Sequence, residues 1–117
     1  MSNNKKRSNC AVSSGLDIFG DKWTLLIIRD MMNGKSKFNE FEGSPEKIPS
    51  NILSSRLKML QENGIIDKQI YQEKPVRYQY LLLGKGYDLM PILKSISKWS
   101  MDWGADVFDP VTNPSEI

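Results

Sequence analysis

The feature that most constrains this chain is a change of apolar period at Asn63-Gly64. Before it, in IPSNILSSRLKMLQENG (residues 48–64), Leu53, Leu57 and Leu60 recur at helical spacing. After it the period becomes two: Ile66, Lys68, Ile70 and Gln72 alternate with Ile65, Asp67, Gln69 and Tyr71. A second alternating run follows from Val76 to Leu83, through Tyr78, Tyr80 and Leu82, and Glu73-Lys74-Pro75 separates the two. Such a pair predicts an antiparallel hairpin with a basic tip, Lys74 and Arg77. Two strands alone are barely stable in water, so the hairpin must lean on helices. The fold class is therefore mainly α with a small β-hairpin.

The other elements are read from their caps and stripes. Val12, Leu16 and Ile18-Phe19 make a short apolar segment ending at Gly20. Asp21 reads as the N-cap of a helix from Lys22 to about Met32, stopped by Asn33-Gly34, with Trp23, Leu26, Ile27 and Asp30-Met31 toward the core. Ser36 is the expected cap of a short helix carrying Phe38 and Phe41, broken by Gly43-Ser44-Pro45. Ser50, after Pro49, is the expected cap of the leucine helix. From about Lys85 the chain reads as one long helix with the stripe Leu89, Ile92, Leu93, Ile96, Trp99 and Trp103, kinked near its start by Pro91. The organisation expected is a flexible basic segment 1–9, one domain over 10–105 and a tail over 106–117.

With 117 residues the chain has room for one core. It contains one cysteine and no histidine, which removes most zinc sites, Cys-His nucleophile pairs and histidine-based acid–base catalysis. No phosphate-binding Gly-rich loop is present and no pair of carboxylates stands out, so neither an enzyme nor a cofactor is expected. The longest apolar runs are too short to span a bilayer, and the residues after Lys5-Lys6-Arg7 are not an apolar signal core. A cytoplasmic protein away from the membrane is the expectation. Residues 1–86 hold 14 Lys/Arg against 9 Asp/Glu, and residues 87–117 hold 2 against 5. The basic part thus includes the leucine helix and the hairpin, as a polyanion-binding body would.

Opposite the leucines, the helix carries Asn51, Ser54, Ser55 and Lys58, with Arg56 on the flank. Helices exposed only to water favour Glu, Lys and Gln there, since Ser and Asn are weaker helix formers. Short polar side chains let a helix approach base edges and phosphates closely. Asn pairs with adenine, Ser with base or phosphate, and Lys with guanine or phosphate. Double-stranded DNA is the partner this face suits, with Lys74 and Arg77 on the adjacent backbone or minor groove and Lys37 in a similar flanking role. A solvated face, or a surface for a protein partner, remains open on the residues alone. Ser50 stays divided between cap and contact.

The order of elements, with Cys10, Leu16-Asp17-Ile18-Phe19-Gly20, Lys22-Trp23-Thr24, Phe38-Asn39-Glu40-Phe41, Asn63-Gly64-Ile65-Ile66, Pro75 to Arg77 and Gly86 to Trp99, resembles the HxlR-type transcriptional regulators. These are a winged helix-turn-helix branch related to the MarR-like proteins. Departures are Ala11 where Pro is usual, Asp21 where Gly is usual, and Leu83 in place of a capping Thr. The resemblance implies N- and C-terminal dimerisation helices and a homodimer on a palindromic operator, most simply a repressor. Leu93, Ile96, Trp99 and Trp103 offer the apolar surface for such a dimer. It further implies an electrophile, quinone or disulfide-stress effector acting at Cys10, whose thiolate the nearby Lys5, Lys6 and Arg7 would favour. An inert Cys10, or an aromatic effector pocket between dimer helices lined by Trp23, Phe19 or Trp99, is the alternative.

Overall fold

A computed structural model of the chain describes residues 6–104 and 106–110. Lys5 and most of the tail lie outside the described residues. Among the described residues, six helices and one hairpin run in the order α1 (Ala11–Phe19), α2 (Thr24–Met32), α3 (Phe38–Glu42), α4 (Ser50–Glu62), β1 (Ile66–Glu73), β2 (Val76–Leu82), α5 (Gly84–Tyr87) and α6 (Met90–Trp103). The strands pair antiparallel from Ile66 opposite Leu82 to Glu73 opposite Val76, with an irregularity between Ile70 and Gln72 that leaves Tyr71 unpaired. A third segment joins the hairpin's edge where the Tyr80 amide donates to the Ser36 carbonyl at 2.8 Å.

One core holds these elements together. Ile27, Ile28 and Met31 of α2, Phe41 of α3, Ile48, the three leucines of α4, then Ile65, Ile66 and Leu89 are all buried. Ile66 and Tyr80 seat the hairpin's base against this core, Tyr80 meeting Phe41 edge to face at 6.4 Å. Gly64 closes α4 with φ +70°, a conformation that only glycine adopts without strain.

The helix starts differ from those expected. Thr24, not Lys22, opens α2, yet Asp21 still serves its free amides: its carboxylate accepts from the Trp23 and Thr24 amides at 3.0 and 3.1 Å and from Thr24 Oγ1. Burial pushes the Asp21 carboxyl up, but the bonds from Thr24 and Trp23, with Arg56 nearby, outweigh it and hold the pKa below its ordinary value. Lys37, not Ser36, precedes α3; Glu40 reaches back to both amides, at 2.9 Å to Ser36 and 3.0 Å to Lys37. At α4 the extended residue is Pro49, and Ser50 is already helical with no capping bond.

The expected long helix with a kink at Pro91 is two helices. Leu83, which has no side-chain oxygen, precedes the single turn α5, and α6 begins at Met90 with Pro91 in its first turn. Proline there forfeits no helical hydrogen bond, so it starts a helix rather than bending one. In α2 the buried set is Thr24, Ile27, Ile28, Arg29, Asp30 and Met31, while Trp23 and Leu26 are only half-buried.

Candidate nucleic-acid interface

Leu53, Leu57 and Leu60 are at most 2% exposed, which fixes the rotation of α4 about its axis. Asn51, Ser54, Ser55 and Lys58 are consequently exposed together on the far side. Ser50 is exposed as well, but its hydroxyl donates to Glu42 Oε2 at 2.6 Å, so Ser50 ties the start of α4 to the end of α3. Arg56 is half-buried at the base of the face. Its Nη2 donates to Ser55 Oγ at 3.3 Å, Nη1 lies 3.9 Å from Asp21 Oδ1, and Nε has no acceptor among the described residues.

Lys74 and Arg77 are exposed at and beside the hairpin tip. Lys37 is half-buried at the start of α3, where its ammonium sits 4.6 Å from the ring centre of Tyr71. The hairpin therefore stands beside α4 as a wing, and α3 closes the space between them. A largely buried ionic cluster that the sequence did not reveal ties α2 to this unit. Arg29 reaches Glu46 through Nη1 and Nη2, both at 2.8 Å, and Asp30 through Nε and Nη2 at 3.1 and 2.9 Å. Ser44 Oγ donates to Asp30 Oδ2. Both Ser44 and Glu46 belong to the α3–α4 turn, so α2 grips that turn directly. The bidentate bond from Arg29 holds the Glu46 carboxyl below its ordinary pKa.

Residues 18–107 match the HxlR-like helix-turn-helix family. The chain belongs to that family. It is 39% identical over 88 residues to the HTH-type transcriptional regulator YvaP of Bacillus subtilis (strain 168), covering 75% of this chain and 82% of that one. Among solved structures it resembles the redox regulator HypR in its oxidized form, with TM-score 0.74 and 32% identity over 84% of this chain and all of HypR. It also resembles the reduced form of the transcriptional regulator YodB from B. subtilis, with TM-score 0.68 and 30% identity over 82% of this chain and 95% of YodB. This HxlR-like chain is accordingly a winged-helix, DNA-binding transcriptional regulator and not an enzyme. No described helix is long and apolar enough to cross a membrane.

The remaining sites lie at the two ends of the chain. Cys10 is exposed and immediately precedes α1. The backbone amides of Ser13 and Val12, at the open end of that helix, lower its thiol pKa from the ordinary value. The helix terminus is the cause the structure shows; of the basic run, Arg7 is committed to Asp17, Nε to Oδ1 at 2.6 Å, and Lys5 is outside the described residues. Of the α6 stripe, Leu93 packs against its own core, whereas Ile96, Trp99 and Trp103 are 49%, 67% and 80% exposed. Val12 and Leu16 of α1 are exposed too. Phe19 and Trp23 pack on the core, whereas Trp99 is exposed.

Proposed function

We propose that this regulator acts as a homodimer on a palindromic operator, with residues 10–105 as the functional unit, and represses by occupying it. In this reading α4 enters the major groove, with Asn51, Ser54, Ser55 and Lys58 toward base edges and phosphates and Ser50 and Arg56 at its margin. Lys74 and Arg77 follow the backbone into the neighbouring minor groove, and Lys37 neutralises a flanking phosphate. The observation that carries the reading is the exposed, uncapped first turn of α4 beside a basic wing, with the helix locked in rotation by three buried leucines. Ile96, Trp99 and Trp103 of α6 supply the dimer contact, an exposed apolar stripe of the kind that marks interfaces.

Control is exerted through Cys10. The reactive form of a thiol is the thiolate, and both the exposure of Cys10 and the amides that lower its pKa favour that form. HypR is described as a redox regulator, which supports the same chemistry here. With one cysteine per chain, a two-electron oxidant such as diamide takes two electrons and two protons from Cys10 and Cys10 of the partner subunit, leaving one S–S bond between subunits. A quinone or other electrophile would instead form a carbon–sulfur bond to the thiolate.

Duplex binding tests the first part. Affinity for a selected operator should fall steeply with salt, because phosphate contacts release counterions. Lys58→Ala and Arg77→Ala should each weaken it, and binding unchanged in both would refute this surface. For control, diamide should alter operator affinity in the wild type and leave Cys10→Ser unaffected. A full response in that variant would eliminate the thiol route.

A further inference from the structure

Between α3 and the wing lies a cleft of about 420 Å³ that the sequence did not disclose. Lys37, Asn39 and Glu42 line one wall, and Tyr71, Arg77 and Tyr78 line the other. Phe38 and Tyr80 also line it, and the edge contact of Tyr80 on Phe41 ties it to the core. Its position relative to α4 is fixed by Glu42, which faces the cleft and also accepts the Ser50 hydroxyl. The cleft therefore opens next to the residue that holds the first turn of α4 and reaches the basic end of the wing.

Its chemistry selects an anion. An aromatic-walled cleft with a carboxylate is, in outline, a receptor for an organic cation. Here the chain's own ammonium groups already hold those rings: Lys37 lies 4.6 Å from the centre of Tyr71, and Lys68 lies 4.2 Å from that of Tyr78. The rings thus position cations in place of awaiting one. Near them the Tyr71 and Tyr78 hydroxyls and the Asn39 side-chain amide form no hydrogen bond among the described residues, leaving neutral donors beside Lys37 and Arg77. The one carboxylate, Glu42, is drawn to the α4 end by Ser50.

We infer that this cleft seats the DNA backbone strand that passes between α4 and the wing, with Tyr71 and Tyr78 as phosphate-binding residues that set the register of α4 on its operator. The inference rests on the proposal that α4 reads DNA. It adds two residues from the wing's side of the cleft, Tyr71 lying at the register irregularity between Ile70 and Gln72 and Tyr78 opposite Ile70. Phenol-to-phosphate hydrogen bonds carry no sequence information, so their contribution is the same on any duplex.

The test uses the full chain, a Tyr71→Phe/Tyr78→Phe double variant, Lys37→Ala and Lys58→Ala. Each is titrated against an operator selected from a random duplex pool and against a short duplex of random sequence, at low and high salt. Phenylalanine keeps both rings under their lysines and removes only the hydroxyls. The double variant should bind both duplexes at least about tenfold more weakly with an unchanged salt slope, whereas Lys37→Ala should reduce that slope by about one. Ethylation interference should lose the phosphates between the major-groove and wing contacts. If the double variant binds within about twofold of wild type while Lys58→Ala loses affinity, the cleft does not hold backbone and the role of α4 stands. A wild-type chain with no salt-dependent duplex binding would overturn both.

Discussion

Arg29→Met removes the centre of the ionic cluster that fastens α2 to the α3–α4 turn, and the expected loss follows from burial. The Asp30 side chain is 3% exposed, and without Arg29 its remaining side-chain partner is Ser44. Breaking a buried pair on one side leaves an uncompensated charge, at a cost of about 3–5 kcal/mol. An unfolding entropy of about 2.1 cal/mol/K per residue places 1 kcal/mol near 4 °C for a chain of this length, so Tm should fall by about 12–20 °C. Glu46→Gln is the control. Its side chain is 36% exposed, and Arg29 retains Asp30 when the Glu46 charge is gone, so the cost should be near 1 kcal/mol, about 4 °C. Thermal melts monitored by far-UV circular dichroism, at one fixed protein concentration because a dimer's Tm depends on it, compare the two. Equal small shifts would refute the reasoning, because Ser44 and the turn would then suffice for Asp30. The same cluster predicts acid sensitivity. The folded-state pKa of Glu46 lies below its unfolded value, so the stability it brings is complete above about pH 4.3 and is lost as pH falls through the folded pKa.

Other consequences are simpler to state. Leu57→Ala, at a position 2% exposed, should cost about 2–5 kcal/mol and weaken DNA binding only through unfolding, a distinction that denaturant titration makes directly. Iodoacetamide alkylation of Cys10, followed against pH, should show a midpoint below that of an unstructured peptide thiol; a midpoint at or above it would mean that the α1 amides do not favour the thiolate. Trp99→Ala with Ile96→Asp should shift sedimentation from dimer to monomer if α6 is the dimer contact, and an unaltered dimer would move the interface elsewhere.

What could be read from the sequence, and what could not, divides along physical lines. The leucine spacing of α4 and the two-residue alternation after Gly64 are local and periodic, so the core face and the hairpin were legible. Helix starts were not, because they depend on backbone angles: Pro49 is extended with φ −61° and ψ 141°, which makes Ser50 helical and frees its hydroxyl for Glu42. The role of Arg29 was not legible, since its partner Glu46 is 17 positions away in a loop that has to fold back first. The cleft was hidden for a related reason. Tyr71 reaches its wall through an irregularity between Ile70 and Gln72 that no alternation pattern displays. Cys10 was legible as a candidate, but the amides of α1 that lower its thiol pKa were not, and Arg7 of the basic run turns to Asp17 instead.

The division of labour within α4 explains why its outer face can be so poor in helix formers. Asn51, Ser54 and Ser55 each cost about 0.5 kcal/mol relative to alanine, about 1.5 kcal/mol together. Against this, burying Leu53, Leu57 and Leu60 contributes at least about 1.5 kcal/mol apiece, and all three are nearly inaccessible. Packing exceeds the propensity penalty about threefold, so the helix is formed by its inner face whatever the outer face carries. The outer face is then free to be mostly short, polar and uncharged, with Lys58 its one cation, which suits close approach to another surface and does nothing for the helix itself. Replacing Ser54 and Ser55 by alanine should therefore stabilise the fold by up to about 1 kcal/mol while weakening operator binding. Gain of stability with full retention of binding would show that these serines are only solvated.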